Sequence, residues 1–312
     1  MKSRSALWPF IAALCLAWPA LAEDGPAGSD AGRAGESGGD GEAGSETGDT
    51  GRPVPRGFRE KPLWEIGVVG GGGWLPDYPA ADQNHANGIA LPYAVYRGET
   101  FRISEEGRPR GLFVDMPWLE LNVGLDAAFP VDSDDNDARR GMEDLDFLLE
   151  AGPMLIVKLL PGDPLNELDL SLAGRVVLST DFKGIDYRGL TVNPAITYRR
   201  NDLFDVDLRA IAAVDATFGF DGFNEYFYEV EADDVRPDRP RYRADPGYVG
   251  SEITLGLSWG ITERIKLFGG TRIGLWTGSA NDDSPLFRDE VTYAVGGGLR
   301  LTFFASDRKV WR

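Results

Sequence analysis

The chain ends in a segment in which apolar and polar residues alternate. In Val291–Phe303 every second residue is apolar or glycine, and the residues between them are small or polar. Side chains on a β-strand point alternately to its two faces, so this segment is predicted to be a strand with one apolar face. The rest of the chain is then expected to form a sheet that comes round to pair with it.

The same alternation recurs along the chain from Leu63 onward, where no apolar stretch reaches the length of a membrane-spanning helix. Twelve strands are predicted: Trp64–Gly72, Ile89–Val95, Thr100–Ser104, Arg110–Asp115, Leu119–Phe129, Phe147–Val157, Leu168–Val176, Leu190–Tyr198, Val206–Val214, Ile253–Ile261, Ile265–Leu275 and Val291–Phe303. An even number is what a single-chain bacterial barrel requires. The last strand would close the barrel against Trp64–Gly72.

The predicted connections are short on one rim and mostly long on the other. The short ones are Gly98-Glu99, Met116-Pro117, Pro161–Asn166, Asn201-Asp202 and Thr262–Arg264, and the long ones are Leu75–Asn87, Pro130–Asp146, Thr180–Gly189, Phe220–Pro246 and Gly278–Glu290. Short periplasmic turns and long outer loops are typical of outer-membrane barrels. The short connection Glu105–Pro109 is the exception.

Alternation alone leaves open which face is outside, because a soluble barrel or sandwich would turn the same apolar face inward. Three observations favour lipid: the apolar faces lack charge over five or six successive positions, the opposite faces combine small residues with charges of both signs, and the long connections lie on one rim. The fold predicted is an all-β, closed antiparallel transmembrane β-barrel of about 12 strands.

The face opposite the apolar one would line the lumen. Its acidic residues are Glu120, Asp126, Glu150, Asp169, Asp207 and Asp215, and its basic ones are Lys158, Arg175, Arg199, Arg209, Lys266, Arg272 and Arg300. Such charges can pair across strands. Bulky inward residues, namely Met154, Ile156, Ile211, Phe268 and Trp276, predict a narrow or blocked pore.

Three prolines, Pro92, Pro153 and Pro194, fall inside predicted strands. Proline has no N–H to donate to a neighbouring strand and normally argues against a paired strand. Bulges at these positions are the expected solution.

The N-terminal part of the chain has a different composition. Residues 1–22 combine Lys2 and Arg4, an apolar run and the small residues Ala20 and Ala22, which is the pattern of a secretory signal peptide. Residues 23–60 are acidic and glycine-rich and are predicted to be a disordered linker, which leaves 61–312 for the barrel. The net charge of −18 argues against nucleic acid and anionic lipid surfaces as partners.

No catalytic, cofactor-binding or metal-binding residue is predicted, and the protein is not expected to be an enzyme. His85, the single histidine, has no motif linking it to Asp82 or a serine, so a solvated loop histidine is the preferred interpretation. Asp132–Asp137 with Glu143 imitates a calcium loop, but its sixth position is Asp137 where glycine is needed. An acidic surface loop is the preferred interpretation.

Several short strings together resemble the MltA-interacting protein family, MipA/OmpV. They are Pro76–Pro79 with Ala80–Asp82, Leu91–Tyr93, Tyr96–Glu99 with Phe101, Gly141–Asp146, Asn224–Val230 and Asp283–Leu286. Phe227 stands where the family usually has tyrosine, and the leader, the Asp234–Pro246 loop and the tail after Phe303 are departures from the family pattern.

The resemblance implies a non-catalytic barrel in the outer membrane of a Gram-negative bacterium, in contact with the lipid bilayer. The family's named member is a scaffold for peptidoglycan-remodelling enzymes, so murein hydrolases and synthases are the implied partners. A narrow porin-like channel or an adhesin is the alternative, and an outer-membrane hydrolase that depends on His85 is a third.

Overall fold

The computed structural model of the chain describes residues 60–98, 101–103, 109–163, 165–220 and 222–311. The predicted signal peptide (1–22) and the predicted linker as far as residue 59 lie outside the described residues. So do Glu99, residues 105–108 of the Glu105–Pro109 connection, and both ends, Thr100 and Ser104, of the predicted strand between these two connections. Glu60, the last residue of that predicted linker, is the first residue of a strand.

Most of the described chain is β-strand. The strands are β1 (Glu60–Pro62), β2 (Trp64–Pro76), β3 (Asn84–Arg97), β4 (Phe101–Ile103), β5 (Pro109–Asp115), β6 (Leu119–Ala128), β7 (Phe147–Lys158), β8 (Asn166–Thr180), β9 (Asp186–Arg200), β10 (Leu208–Phe220), β11 (Gly247–Thr262), β12 (Ile265–Leu275), β13 (Val291–Ala305) and β14 (Lys309–Trp311). One α-helix, α1 (Phe223–Tyr228), and three short 3-10 turns, Ser133–Asp135, Leu203–Asp205 and Ala232–Asp234, lie between strands.

None of the helices in the described chain is long and apolar enough to cross a membrane.

Within the described residues, β2 to β13 pair antiparallel with their neighbours in chain order, and the order closes into a barrel. These twelve strands correspond in order to the twelve predicted segments. The closure is thinnest around β4, which pairs with β3 only at Tyr96 and Arg97 and with β5 over three residues.

The closing strand pairs with β2, as the sequence predicted. The register runs from Val295 opposite Trp74 to Ala305 opposite Glu65, with an irregularity between Thr302 and Phe304. The strand therefore continues two residues beyond Phe303. After it, β14 pairs with β1 in a separate two-stranded sheet at the end of the barrel that carries the short turns.

The outer face of most strands is apolar. On β11, for example, Leu255, Leu257 and Trp259 are exposed while Thr254 and Ser258 are buried. The charged and small residues of β6 to β13 point into the barrel, as predicted.

Strand β3 contradicts the predicted orientation. Leu91, Tyr93 and Val95, expected on the outer face, are at most 6% exposed, and the outer positions hold Ala90, Pro92, Ala94 and Tyr96. A surface that faces lipid can be built from small apolar residues as well as from large ones. The face of an alternating strand with the larger side chains is therefore not always the outer one. The prediction took side-chain size as the guide, and for this strand it was wrong.

None of the three prolines lies at a bulge, and the one register shift in β9 falls at Arg188, six residues before Pro194. Pro153 and Pro194 are paired on one side, with Val123 and Leu172, while the ladder to the other neighbour skips them and resumes in the same register. Pro92 pairs with Val68 on a stretch of β3 that β4 does not reach. Each proline thus sits where its missing N–H is tolerated, and the expected bulges were wrong.

Two predicted placements near strand ends also change. His85 lies in β3 and pairs with Leu75 of β2, because both strands extend further than expected and leave only Asp77–Gln83 as the loop. Asp207 precedes β10 and is exposed, so it does not belong to the lumen.

Exposed aromatic residues concentrate at the two ends of the outer face. Trp64, Tyr96, Trp118, Tyr198, Trp259 and Phe303 lie towards the end with short turns, and Trp74, Tyr187, Phe220 and Tyr293 towards the other. Two such girdles flanking an apolar band are characteristic of barrels that cross a bilayer.

Candidate functional site: a loop cap over a charged lumen

Charged side chains on the inner face pair between neighbouring strands and, for Arg175 and Asp126, from β8 across β7 to β6. The pairs are Lys158–Glu120 (3.3 Å), Arg175–Asp126 (3.4 Å), Arg175–Glu150 (3.3 Å), Arg199–Asp169 (2.7 Å) and Arg272–Glu252 (3.5 Å). Every cation in these pairs was predicted to face inward. Removing one member of a buried pair leaves the other charge uncompensated, so the pairs oppose a shift of one strand against the next.

A second ionic cluster lies near the end with short turns and was not predicted from the sequence. Arg97 Nη1 is 2.8 Å from Glu65 Oε1, and Arg300 Nη2 is 3.9 Å from Glu65 Oε2. Arg300 also stacks over the Tyr93 ring at 5.3 Å. The cluster joins β2, β3 and β13, the three strands at which the barrel closes. Glu65 and Arg97 lie at strand ends, where alternation carries little information.

The opposite end of the barrel is covered by four loops, residues 77–83, 129–146, 222–246 and 276–290, which we call the cap. Their apolar side chains form one buried cluster with the ends of the strands. Its members are Tyr78, Ala80, Ala81, Leu145, Leu148, Val177, Phe223, Phe227, Tyr228, Ala244, Val249 and Trp276. The cap is thus packed like a protein core.

Helix α1 supplies the centre of the cap. It follows Gly222, whose φ of 102° turns the chain inward after β10 and is readily adopted only by glycine. Phe227 packs edge-on against both Phe223 and Tyr226 at 5.2 Å between ring centroids. The aromatic side chains of the Asn224–Val230 string thus lie over the lumen, and with Phe223 they form what we call the roof.

Hydrogen bonds join the four loops. Tyr78 Oη donates to the Leu286 carbonyl (2.8 Å), Tyr228 Oη to the Pro79 carbonyl (3.1 Å) and Ser284 Oγ to the Tyr228 carbonyl (2.7 Å). The Asp146 amide donates to Tyr226 Oη at 2.6 Å. Each bond spans two different loops, so the loops hold one another in place.

Arg139 is buried in the cap, where its guanidinium bonds the Phe227 and Glu143 carbonyls at 3.3 Å each. It also lies 5.8 Å from the centre of the Tyr78 ring. Burial lowers the pKa of Arg139. The packed loops exclude water from these carbonyls, and the Arg139 guanidinium supplies the hydrogen bonds that water would otherwise make.

The loop that imitates a calcium site uses its side chains for internal bonds. Asp132 Oδ1 accepts from the Asp134 amide (3.0 Å), Asp134 Oδ1 from the Gly141 amide (3.2 Å), and Asn136 Nδ2 donates to Asp77 (2.7 Å). Among the described residues, no three His, Cys, Asp or Glu side chains are placed to hold a metal ion.

His85 bonds Asp77 through Nδ1 at 2.6 Å, and Asp77 in turn accepts from Asn136. The pair joins β3 to two loops of the cap. Asp82, the predicted acidic candidate near His85, instead lies 3.4 Å from Arg288. In the structure, His85 therefore helps to hold the loops of the cap together through its bond to Asp77.

A cavity of about 440 Å³ lies between the cap and the inner wall. Aromatic side chains of the cap, Phe223, Phe227 and Trp276, line one side, and wall residues such as Asp126, Arg175, Asp215 and Glu252 line another. A second cavity of about 210 Å³ borders the glycine-rich part of β2. The space is thus apolar towards the cap and ionic towards the wall.

Four of the six strings that carried the family resemblance converge in the cap. Residues 76–82, 141–146, 224–230 and 283–286 are far apart in sequence and meet around Tyr78, Tyr228 and Leu286. The model of the family described as MltA-interacting protein MipA matches residues 68–303. The chain belongs to this MipA family.

The MipA-family match begins within β2 and ends within β13, includes every loop of the cap, and leaves β1 and β14 outside it. No curated protein matches the chain. The solved structures that it resembles include the Ralstonia pickettii toluene transporter TbuX, at 8% identity, and the Escherichia coli outer membrane protease OmpT, at 10%.

For TbuX the alignment covers 78% of this chain and 90% of that chain, with a TM-score of 0.31; for OmpT it covers 79% and 96%, with a TM-score of 0.25. At such low scores neither structure bears on the function of this MipA-family protein.

Burial also sets the chemistry of the cap tyrosines. It raises the pKa of Tyr226 to about 12 and moves those of Tyr78 and Tyr228 still higher. These phenols therefore stay neutral at any physiological pH and act as hydrogen-bonding groups.

Proposed function

We propose that the protein is a non-catalytic outer-membrane barrel of a Gram-negative bacterium, with strands β2–β13 crossing the bilayer. Its apolar outer face, bounded by aromatic residues at both ends, carries this proposal. Residues 1–22 would act as the export signal and 23–59 as a disordered linker that ends where β1 begins at Glu60, and the chain from there to 312 would form the barrel.

The size of the apolar face supports a spanning barrel. On β13 the outer positions run from Tyr293 to Phe303 without a charge. Ten residues at about 3.3 Å each, tilted by about 40°, give a height of about 25 Å, which matches the apolar band of outer-membrane barrels.

We further propose that the barrel scaffolds peptidoglycan-remodelling enzymes. The family's description, MltA-interacting protein, supports a murein enzyme as partner. The docking surface would be the end with short turns and the β1–β14 sheet, which would face the periplasm where such enzymes work.

Site-specific photo-crosslinking in cells tests the scaffold. A photoreactive residue at Glu263 or Asp307, both exposed at the short-turn end, should give adducts with murein hydrolases or synthases. The same residue at Asp233, exposed in the cap, serves as the control and should give none. Absence of such adducts from both short-turn positions would count against scaffolding.

We also propose that the cap blocks diffusion through the lumen, since aromatic side chains fill the centre of the cap. Purified protein in planar bilayers should show no large stable conductance steps. A variant with residues 222–246 replaced by a short Gly-Ser linker should show them, whereas replacing the exposed loop 181–185 in the same way should not. Large steps in the unaltered protein would favour the channel alternative.

A further inference from the structure

We propose that the cavity beneath the cap is a binding site for a small organic cation, meaning a protonated amine that carries an apolar group. The site would lie on the inner face of β9, β10 and β11, where they meet the roof. This inference does not depend on the scaffolding role.

Two carboxylates lie side by side at the centre of this wall. Asp215 of β10 is directly opposite Glu252 of β11, and both line the cavity. Arg272 lies 3.5 Å from Glu252. Among the described residues, no cationic group lies within 4.0 Å of Asp215. Arg272 and Arg175 act on Asp215 from a greater distance. In the described part of the chain, the Asp215 carboxylate therefore has no ion-pair partner in direct contact, and a cation in the cavity can supply one.

An aromatic surface lies beside these carboxylates. The indole of Trp276 packs so closely on Gly250 that a Cβ there would lie 2.1 Å from the ring. Gly250 is two residues before Glu252 on the same face of β11, so the indole covers the wall next to the acidic pair. Indole faces attract cations, and the ring also offers apolar contact.

Unpartnered polar atoms point to a ligand independently of the charges. Thr191 is 1% exposed and lines the cavity, and its Oγ1 has no hydrogen-bond partner among the described residues. Asn193 uses Nδ2 to bond Thr217 at 2.9 Å, and its Oδ1 is likewise unsatisfied. Buried polar groups without partners are rare in native proteins. Both oxygens can accept a hydrogen bond from a polar group of a ligand that lies along this wall.

These groups form a continuous track. Asp215 pairs with Ala195 of β9, and Asn193 and Thr191 follow on the same face at successive inward positions towards the cap. The track ends beneath Phe223. An amine seated at Asp215 would thus place its apolar group among the aromatic side chains of the roof. The volume of about 440 Å³ lies within the range of small-molecule sites.

Calorimetry of the full-length protein in detergent micelles tests this with benzylammonium chloride as the probe. Saturable binding with a Kd below about 1 mM is expected. Benzyl alcohol and benzoate, which keep the ring but lack the positive charge, should bind at least tenfold more weakly. No saturable heat with benzylammonium, or equal binding of benzyl alcohol, would overturn the proposal.

Variants locate the site. Asp215→Asn should weaken benzylammonium binding tenfold or more, and Asp233→Asn, the same change at an exposed position of the cap, should leave it unchanged. Ala195→Phe should abolish binding by filling the cavity while both carboxylates remain. Heat-modifiable gel mobility checks that each variant is folded. Unchanged binding in folded Asp215→Asn would show that Asp215 does not hold the cation and would overturn the proposed site.

Discussion

Single residues at the strand ends hold the barrel closed, and these were hardest to predict. Glu65, Arg97 and Arg300 form a buried cluster across β2, β3 and β13, with Tyr93 under Arg300. Alternation identified Arg300 as inward because it lies within a long regular strand. Alternation did not predict that Glu65 and Arg97 face inward. Each lies at most one residue from a strand end, where the face of a side chain depends on the register with the neighbouring strand.

The cap tyrosines predict a delayed ionisation. The unfolded chain loses phenol protons near pH 10, whereas burial raises the pKa of Tyr226 to about 12. The contribution of Tyr226 to the stability of the cap is therefore fully present below about pH 10 and is lost as the pH rises towards 12, because only the unfolded form ionises between those values.

Ultraviolet titration of tyrosinate measures this. Folded protein should show a late step that is absent from the denatured chain and smaller in Tyr226→Phe. A single step near pH 10 for all ten tyrosines of the folded protein would contradict the burial of the cap.

At the scale of strands, alternation predicted where most strands lie but did not always predict which face is outside. The exposed Leu255 of β11 and the buried Leu91 of β3 show the same alternation in sequence. They differ in what stands on the opposite face: Thr254 and Glu252 on β11, and alanine, glycine and proline on β3. A face of small apolar residues is compatible with either environment, so the sequence of one strand cannot decide.

Leu255→Arg tests the lipid-facing side. If β11 crosses a bilayer, arginine near its middle should reduce the free energy of unfolding by about 2–4 kcal/mol. Leu255→Ala is the control and should cost much less. Denaturant titration in lipid vesicles measures both. A change within about 0.5 kcal/mol for arginine, as on a water-exposed surface, would contradict lipid contact.

Truncation distinguishes the role of the closing strand β13 from that of the C-terminal strand β14. A chain ended after Ala305 keeps every β13–β2 pair and loses β14 with the backbone bonds of Ser306 and Arg308, so it should still assemble. A chain ended after Leu301 loses Thr302, which bonds Tyr93 and Glu65, and should assemble poorly. A shift in gel mobility on heating measures the assembly of both chains. If the chain ended after Ala305 does not assemble, the residues after Ala305 are needed for assembly.

At the scale of the whole molecule, the cap brings together what the sequence shows only as scattered strings. Sequence predicted that the loops on this rim are long, and the resemblance marked short strings within them. The sequence could not show that Tyr78 bonds the loop of Leu286 or that Ser284 bonds the loop of Tyr228. The residues in these two contacts are 208 and 56 positions apart. Long-range contacts depend on closure of the barrel, and no local pattern encodes them.

The central claim is that β2–β13 form a barrel that crosses the outer membrane. Cell fractionation combined with gel mobility of unheated and boiled samples tests it most directly. The protein should sediment with the outer membrane and migrate faster before boiling than after, because the folded barrel stays compact in detergent. A soluble protein with the same mobility in both samples would contradict it.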